Sequence, residues 1–93
     1  MQLTFIGKKW RLVRTPQRGG TEKSLGDCEG PHVAGKKIRV DPGLVGEKEL
    51  EVLIHEFLHA SDWHRSEEWV TEAAQDIARA LWRIGYRLNP EAS

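Results

Sequence analysis

The sequence predicts an α+β fold, a small and mostly antiparallel sheet from the N-terminal half packed on two helices. Three observations predict it. Apolar residues alternate with polar ones in "LTFIGKKWRLV" and again in "KKIRVD", the period of half-buried strands. From about Glu47 the apolar spacing becomes helical. A polar break, "HRS", then divides the helical half into two runs. At 93 residues the chain fits one small domain, residues 1–93, near the size where a bound metal contributes to folding.

Leu3, Phe5, Trp10 and Leu12 set the alternation of the first hairpin, with Gly7-Lys8 as its expected two-residue turn. "RTPQRGGTEKSLGDCEGPHVAG" has no sustained period and reads as a long, mobile loop with one short strand near Leu25. Ile38 and Val40 then share one face of a strand closed by Pro42-Gly43. The first helix is expected from about Glu47 to Trp63, with Leu50, Leu53, Ile54, Phe57 and Ser61 on its buried side and acids in its first turns, where they suit the helix dipole. Ser66 is a good N-cap for a second helix from Glu67 to about Arg83, and Gly85 stops it. Its apolar stripe is Val70, Ala73, Ala74, Ile77, Leu81 and Ile84.

Composition narrows the function. Apolar residues make up 39% and charged residues 30%, which fits a globular domain, and no stretch approaches a membrane span or a signal peptide. Cys28 is the sole cysteine, so no internal disulfide forms and a reducing compartment, the cytoplasm, is expected. The net charge is zero, yet residues 1–40 carry nine Lys/Arg against three acids. At this size such asymmetry is expected to mean that the halves attract each other. Nucleic acid is not the expected partner, and no membrane is.

The chemistry concentrates in "IHEFLHA". Residues four apart stack on one helical face, so His55 and His59 can present imidazole nitrogens to one metal ion about 2 Å from each. Glu56 lies about 100° around the helix, poor for a third ligand but placed to act as general base on a water at the metal. The expected apolar stripe falls nearly opposite His55, which keeps both histidines out of the core. The bland alternative is a solvated face with two surface histidines beside Asp62.

A catalytic zinc takes a third protein ligand, and Glu67, Glu68, Glu72 and His64 are the candidates. With Val70 as zero, Glu67 falls near about 60°, Glu68 near about 160° and Glu72 near about 200° on the second helix. Glu67 alone borders the buried side and is the first choice. Glu72 is spaced four from Asp76, as a ligand and its supporting acid would be, but Glu68, Glu72, Asp76, Arg79 and Arg83 also make a continuous charged surface. His64 follows His59 by five rather than six residues. His32, among Gly30, Pro31 and Gly35, reads as an ordinary loop histidine.

The block from Lys36 to about Tyr86 resembles small phage and prophage proteins with an HExxH motif, classed as zincin-type metallopeptidases of the glutamate-ligand kind. The matching pieces are the strand Ile38-Arg39-Val40-Asp41, the motif His55 to His59, and Ser66-Glu67-Glu68-Trp69-Val70 opening the second helix. The resemblance implies a minimal zincin domain with Zn2+ held by His55, His59 and Glu67, and Glu56 as catalytic base. Only seven residues separate His59 from Glu67, closer than in larger zincins.

The expected function is therefore hydrolysis of peptide bonds in a peptide or protein substrate, through a zinc-activated water with Glu56 as base. Ile38–Val40 is expected to take an extended substrate by strand addition. Tyr86 and His64 are candidates to stabilise the oxyanion. The alternative is a non-catalytic binding module of phage origin, in which zinc staples a small fold.

Overall fold

In the computed structural model, which describes residues 1–16 and 25–88, β1 (Gln2–Phe5) and β2 (Lys8–Arg14) form an antiparallel hairpin with Leu3 opposite Trp10 and Phe5 opposite Lys8. The turn residues are Ile6 and Gly7, with φ of 49° and 75°. Positive φ at both positions is the type I′ turn, whose twist matches the flanking strands. The turn thus sits one residue earlier than the expected Gly7-Lys8, because Lys8 is already paired. Gly7 adopts this backbone freely, whereas β-branched Ile6 is strained there.

Two further strands, β3 (Gly26–Cys28) and β4 (Lys37–Val40), complete a four-stranded sheet in the order β1-β2-β4-β3. β2 and β4 run parallel, and the other two pairings are antiparallel. β3 is the short strand expected near Leu25. Residues 17–24, the middle of the expected mobile loop, lie outside the described residues. β4 is an inner strand, with Arg11–Arg14 along one edge and Gly26–Cys28 along the other. Ile38–Val40 therefore has no edge to offer a peptide, contrary to the sequence expectation; β3 is the outer strand on that side.

The helices are α1 (Gly46–Ser61) and α2 (Glu67–Arg83). Ser66 caps α2 as expected, its Oγ accepting from the Trp69 N–H at 3.2 Å, and Gly85 follows the helix at φ 103°. α1 lies on the sheet and α2 lies on α1. Trp10, Ile38 and Val40 from the sheet meet Val52, Leu53 and Ala60 from α1 in the core. On α2 the buried residues are Val70, Ala74 and Ala78, spaced by four. Two alanines in that row leave little side chain between the helices. No helix among the described residues is long and apolar enough to cross a membrane.

Both helices are rotated from the expected phase. α1 has the sheet on one side and α2 on another, so Val52, Leu53, Glu56 and Ala60 are buried while Leu50, Ile54 and Phe57 are only half-buried. On α2, Ile77 and Ile84 are exposed and Ala78 is buried. The stripe actually used, Val70-Ala74-Ala78, is centred near about 40° in the frame that placed Glu67 near about 60°. Glu67 therefore stands almost on the axis of the helix contact, one turn before Val70.

Candidate metal centre

That position brings Glu67 to the two histidines. His55 Nε2 lies 2.8 Å from Glu67 Oε1, and His59 Nε2 lies 2.8 Å from Glu67 Oε2. The two Nε2 atoms face each other at 3.2 Å. His55 and His59 are half-buried on α1, while the Glu67 side chain is 68% exposed. The three side chains offer ligand atoms all within 4.8 Å of one another, the one such group of His, Cys, Asp and Glu among the described residues.

The donor set fits a zinc ion. Two ligands about 2.0–2.1 Å from a tetrahedral ion lie roughly 3.3 Å apart, close to the spacing of the two Nε2 atoms, and two imidazoles with one carboxylate leave one position open. The carboxylate sits slightly closer, at hydrogen-bonding distance, and its exposed side chain has room to move outward. Of the alternatives, Glu68, Glu72 and His64 are exposed and not in this group. Asp76 pairs with Arg79 at 3.6 Å, as a surface ion pair.

Glu56 points toward the sheet and is 5% exposed, the buried acid in an otherwise apolar stripe. Burial first, then the Asp27 and Glu67 carboxylates, push its pKa up to about 8. β3 passes close above it. A Cβ on Gly26 would come within 3.2 Å of Glu56 Oε2, 2.9 Å of Val52 Cγ1 and 3.0 Å of the Arg39 carbonyl oxygen. Gly26 is therefore the residue that lets the strand approach the acid.

The site opens into a cleft of about 290 Å³ whose walls include Asp27, Cys28 and Trp63, continuous through Gly26, His55, Glu56 and Glu67 with a second hollow of about 440 Å³ toward Thr71 and Gln75. Trp63, one turn beyond His59, stands edge-on to that imidazole with centroids 6.4 Å apart. Its indole and His32 both pack on Gly30, where a Cβ would lie 3.1 Å from Trp63 Cζ2 and 2.6 Å from His32 Cε1. The Cys28 thiol hydrogen-bonds the Glu29 carbonyl at 3.5 Å, and burial, followed by Glu56, Asp27 and Glu29, pushes it up to about 12.

Several cleft residues were not apparent from sequence. Trp63 had a signal, its i+4 relation to His59. Gly26, Asp27 and Cys28 had none, because their place depends on pairing with β4. Neither oxyanion candidate lines the cleft: Tyr86 lies in a separate apolar hollow beside Leu50, Leu53 and Trp82, and His64 is exposed outside it. No family model, curated protein or solved structure matches the chain.

Proposed function

We propose that the chain is a zinc metallopeptidase, a minimal zincin of phage type acting on peptides or proteins in the host cytoplasm. The observation that carries the reading is the convergence of His55, His59 and Glu67 on one point beside the buried Glu56, at the floor of a cleft. His55, His59 and Glu67 would hold the ion. Zinc bound there would polarise a scissile carbonyl and acidify the attacking water. Glu56 takes the proton of that water and returns it to the leaving amine. A nearby cation favours an ionised carboxylate, so Glu56, whose burial favours the protonated form, would be kept ionised, and so able to act as a base, by an ion held at His55, His59 and Glu67. A substrate segment extended in the cleft would run beside β3, whose Gly26, Asp27 and Cys28 form one wall.

A second reading has one observation in its favour. The histidines come from α1 and the carboxylate from α2, so a single ion would also tie the two helices together. A stapled, non-catalytic binding module would need no more. Incubating zinc-loaded protein with a diverse peptide library tests the peptidase reading. Cleavage that stops on chelation and returns with zinc supports it; zinc binding without cleavage of any peptide favours the staple.

A further inference from the structure

Among the described residues, most cations of the N-terminal half make no ion pair with a described acid of the C-terminal half. Among the ion pairs of the described residues, only Arg14–Glu49, at 2.9 Å, joins a cation of residues 1–40 to an acid of residues 41–93. The others lie within one half. Among the described residues, Lys9, Arg11 and Lys37 take no part in that attraction through an ion pair with a described acid.

Strand alternation places them. Trp10, Leu12, Ile38 and Val40 point toward α1, so Lys9, Arg11, Lys37 and Arg39 point from the opposite face of the sheet. No described helix covers that face, since α1 occupies the other and α2 packs on α1. Arg11 and Lys37 are cross-strand partners, and Lys9 lies two residues along β2 from Arg11. Arg39 is held by Asp27 at 3.2 Å and Glu29 at 3.1 Å, whereas Lys9, Arg11, Lys36 and Lys37 make no side-chain ion pair with a described residue. These four line a shallow hollow of about 430 Å³ with Gln2 and Trp10, and no acid lines it. Lys36 shares the strand parity of Ile38 and Val40, and its Nζ lies 5.1 Å from the centroid of the inward-pointing Trp10 ring, so Lys9, Arg11 and Lys37 are the cations that the open face itself presents.

We infer that this open sheet face binds the phosphate backbone of nucleic acid without reading its sequence. Charge complementarity selects the partner. The face presents lysine and arginine with the amide of Gln2 and the hydroxyl of Thr4, the donors used for phosphate contacts. Stable protein interfaces are depleted in lysine and built on large apolar anchors, and this face has Val13 alone, half-buried. Trp10 is buried to 1% and Phe5 lies on the helix side, so no exposed ring on this face is available to stack on a base. Duplex, with its denser charge, therefore binds more tightly than single strand. The face lies on the other side of the sheet from α1, which carries His55 and His59, and Asp27, which holds Arg39, borders both the face and the cleft.

Fluorescence anisotropy with labelled duplex and single-stranded oligonucleotides of about 20 nucleotides, of two unrelated sequences, tests this on the whole protein. With about three phosphates neutralised, raising salt from about 50 to about 200 mM should weaken duplex binding about 40-fold and single-strand binding about 20-fold, equally for both sequences. Lys9→Glu with Arg11→Glu should lower duplex affinity at least about tenfold and flatten the salt dependence, while Arg79→Glu on α2 should not. Both are exposed strand positions; if the pair fails to fold, judged by its melting transition, Lys9→Gln and Arg11→Gln singly carry the same test with smaller losses. Binding that is absent at about 50 mM salt, or indifferent to these substitutions, overturns the inference. So does equal or tighter binding of anionic phospholipid vesicles or of polyglutamate.

Discussion

Replacing Glu67 by alanine separates its proposed role as a metal ligand from its role as a surface carboxylate. Without metal the side chain is 68% exposed and interacts with His55 and His59 in solvent, so its removal should cost about 0–1 kcal/mol, as exposed ion pairs do. With zinc at about 100 times Kd, linkage stabilises the wild type by about 2.7 kcal/mol. For a domain of this size that raises Tm by roughly 10–20 °C. If the substitution weakens zinc binding about 100-fold, the same zinc concentration stabilises by only about 0.4 kcal/mol, a rise of roughly 2–3 °C. Thermal unfolding with and without zinc reads both quantities. His55→Ala and His59→Ala should lose the zinc response in the same way, while Glu72→Ala, Glu68→Ala and His64→Ala should keep it. A Glu67→Ala variant with the full zinc shift, or a Glu72→Ala variant without it, would refute the assignment of the third ligand.

Ile6→Asn should stabilise the protein by about 1 kcal/mol, because asparagine tolerates the positive φ that strains a β-branched residue and the 76% exposed Ile6 side chain loses little packing; denaturant unfolding checks it, and a loss of stability contradicts it. Gly26→Ala should destabilise by about 1–3 kcal/mol, since its methyl meets Val52, the Arg39 carbonyl and Glu56, and an unchanged midpoint would show that β3 can move aside. The Cys28 thiol stays protonated at pH 8: raised to about 12 from 9.0, its thiolate fraction falls about a thousandfold. The greater intrinsic nucleophilicity of a high-pKa thiolate returns part of this, so iodoacetamide should alkylate the folded protein tens of times more slowly than the urea-unfolded chain. Equal rates measured by mass spectrometry would contradict the described environment.

What was legible in the sequence is what depends on one helix at a time. His55 and His59 share a face through i+4 geometry alone, and the Ser66 cap and Gly85 stop are local signals. The angular position of Glu67 on α2 places it beside the apolar stripe, and the stripe actually used, Val70-Ala74-Ala78, lies nearer to it than one that includes Ile77 and Ile84. The α1 phase was misread for a physical reason. A helix with neighbours on two sides has no single apolar face, so Glu56 could be buried against the sheet while Phe57 remained partly open. "GDC" carries no strand pattern; β3 exists because Asp27 and Cys28 pair with Arg39 and Ile38. The inner place of β4 follows from the same long-range pairing, and the substrate edge was therefore assigned to the wrong strand. The hairpin turn was off by one residue because isoleucine is rarely found where Ile6 sits.

If His55, His59 and Glu67 hold zinc while Glu56 does the proton transfer, Glu56→Gln tests both parts in one comparison. Glutamine keeps the shape of the side chain and removes the base. Zinc content by elemental analysis and the rate of peptide cleavage should be measured on the same preparations of wild type and variant. One zinc per chain is expected in both, with cleavage lower in the variant by about two orders of magnitude or more, the usual scale for a lost general base. A variant that cleaves at the wild-type rate, or a wild type that takes up no zinc when folded and supplied with it, would contradict the account.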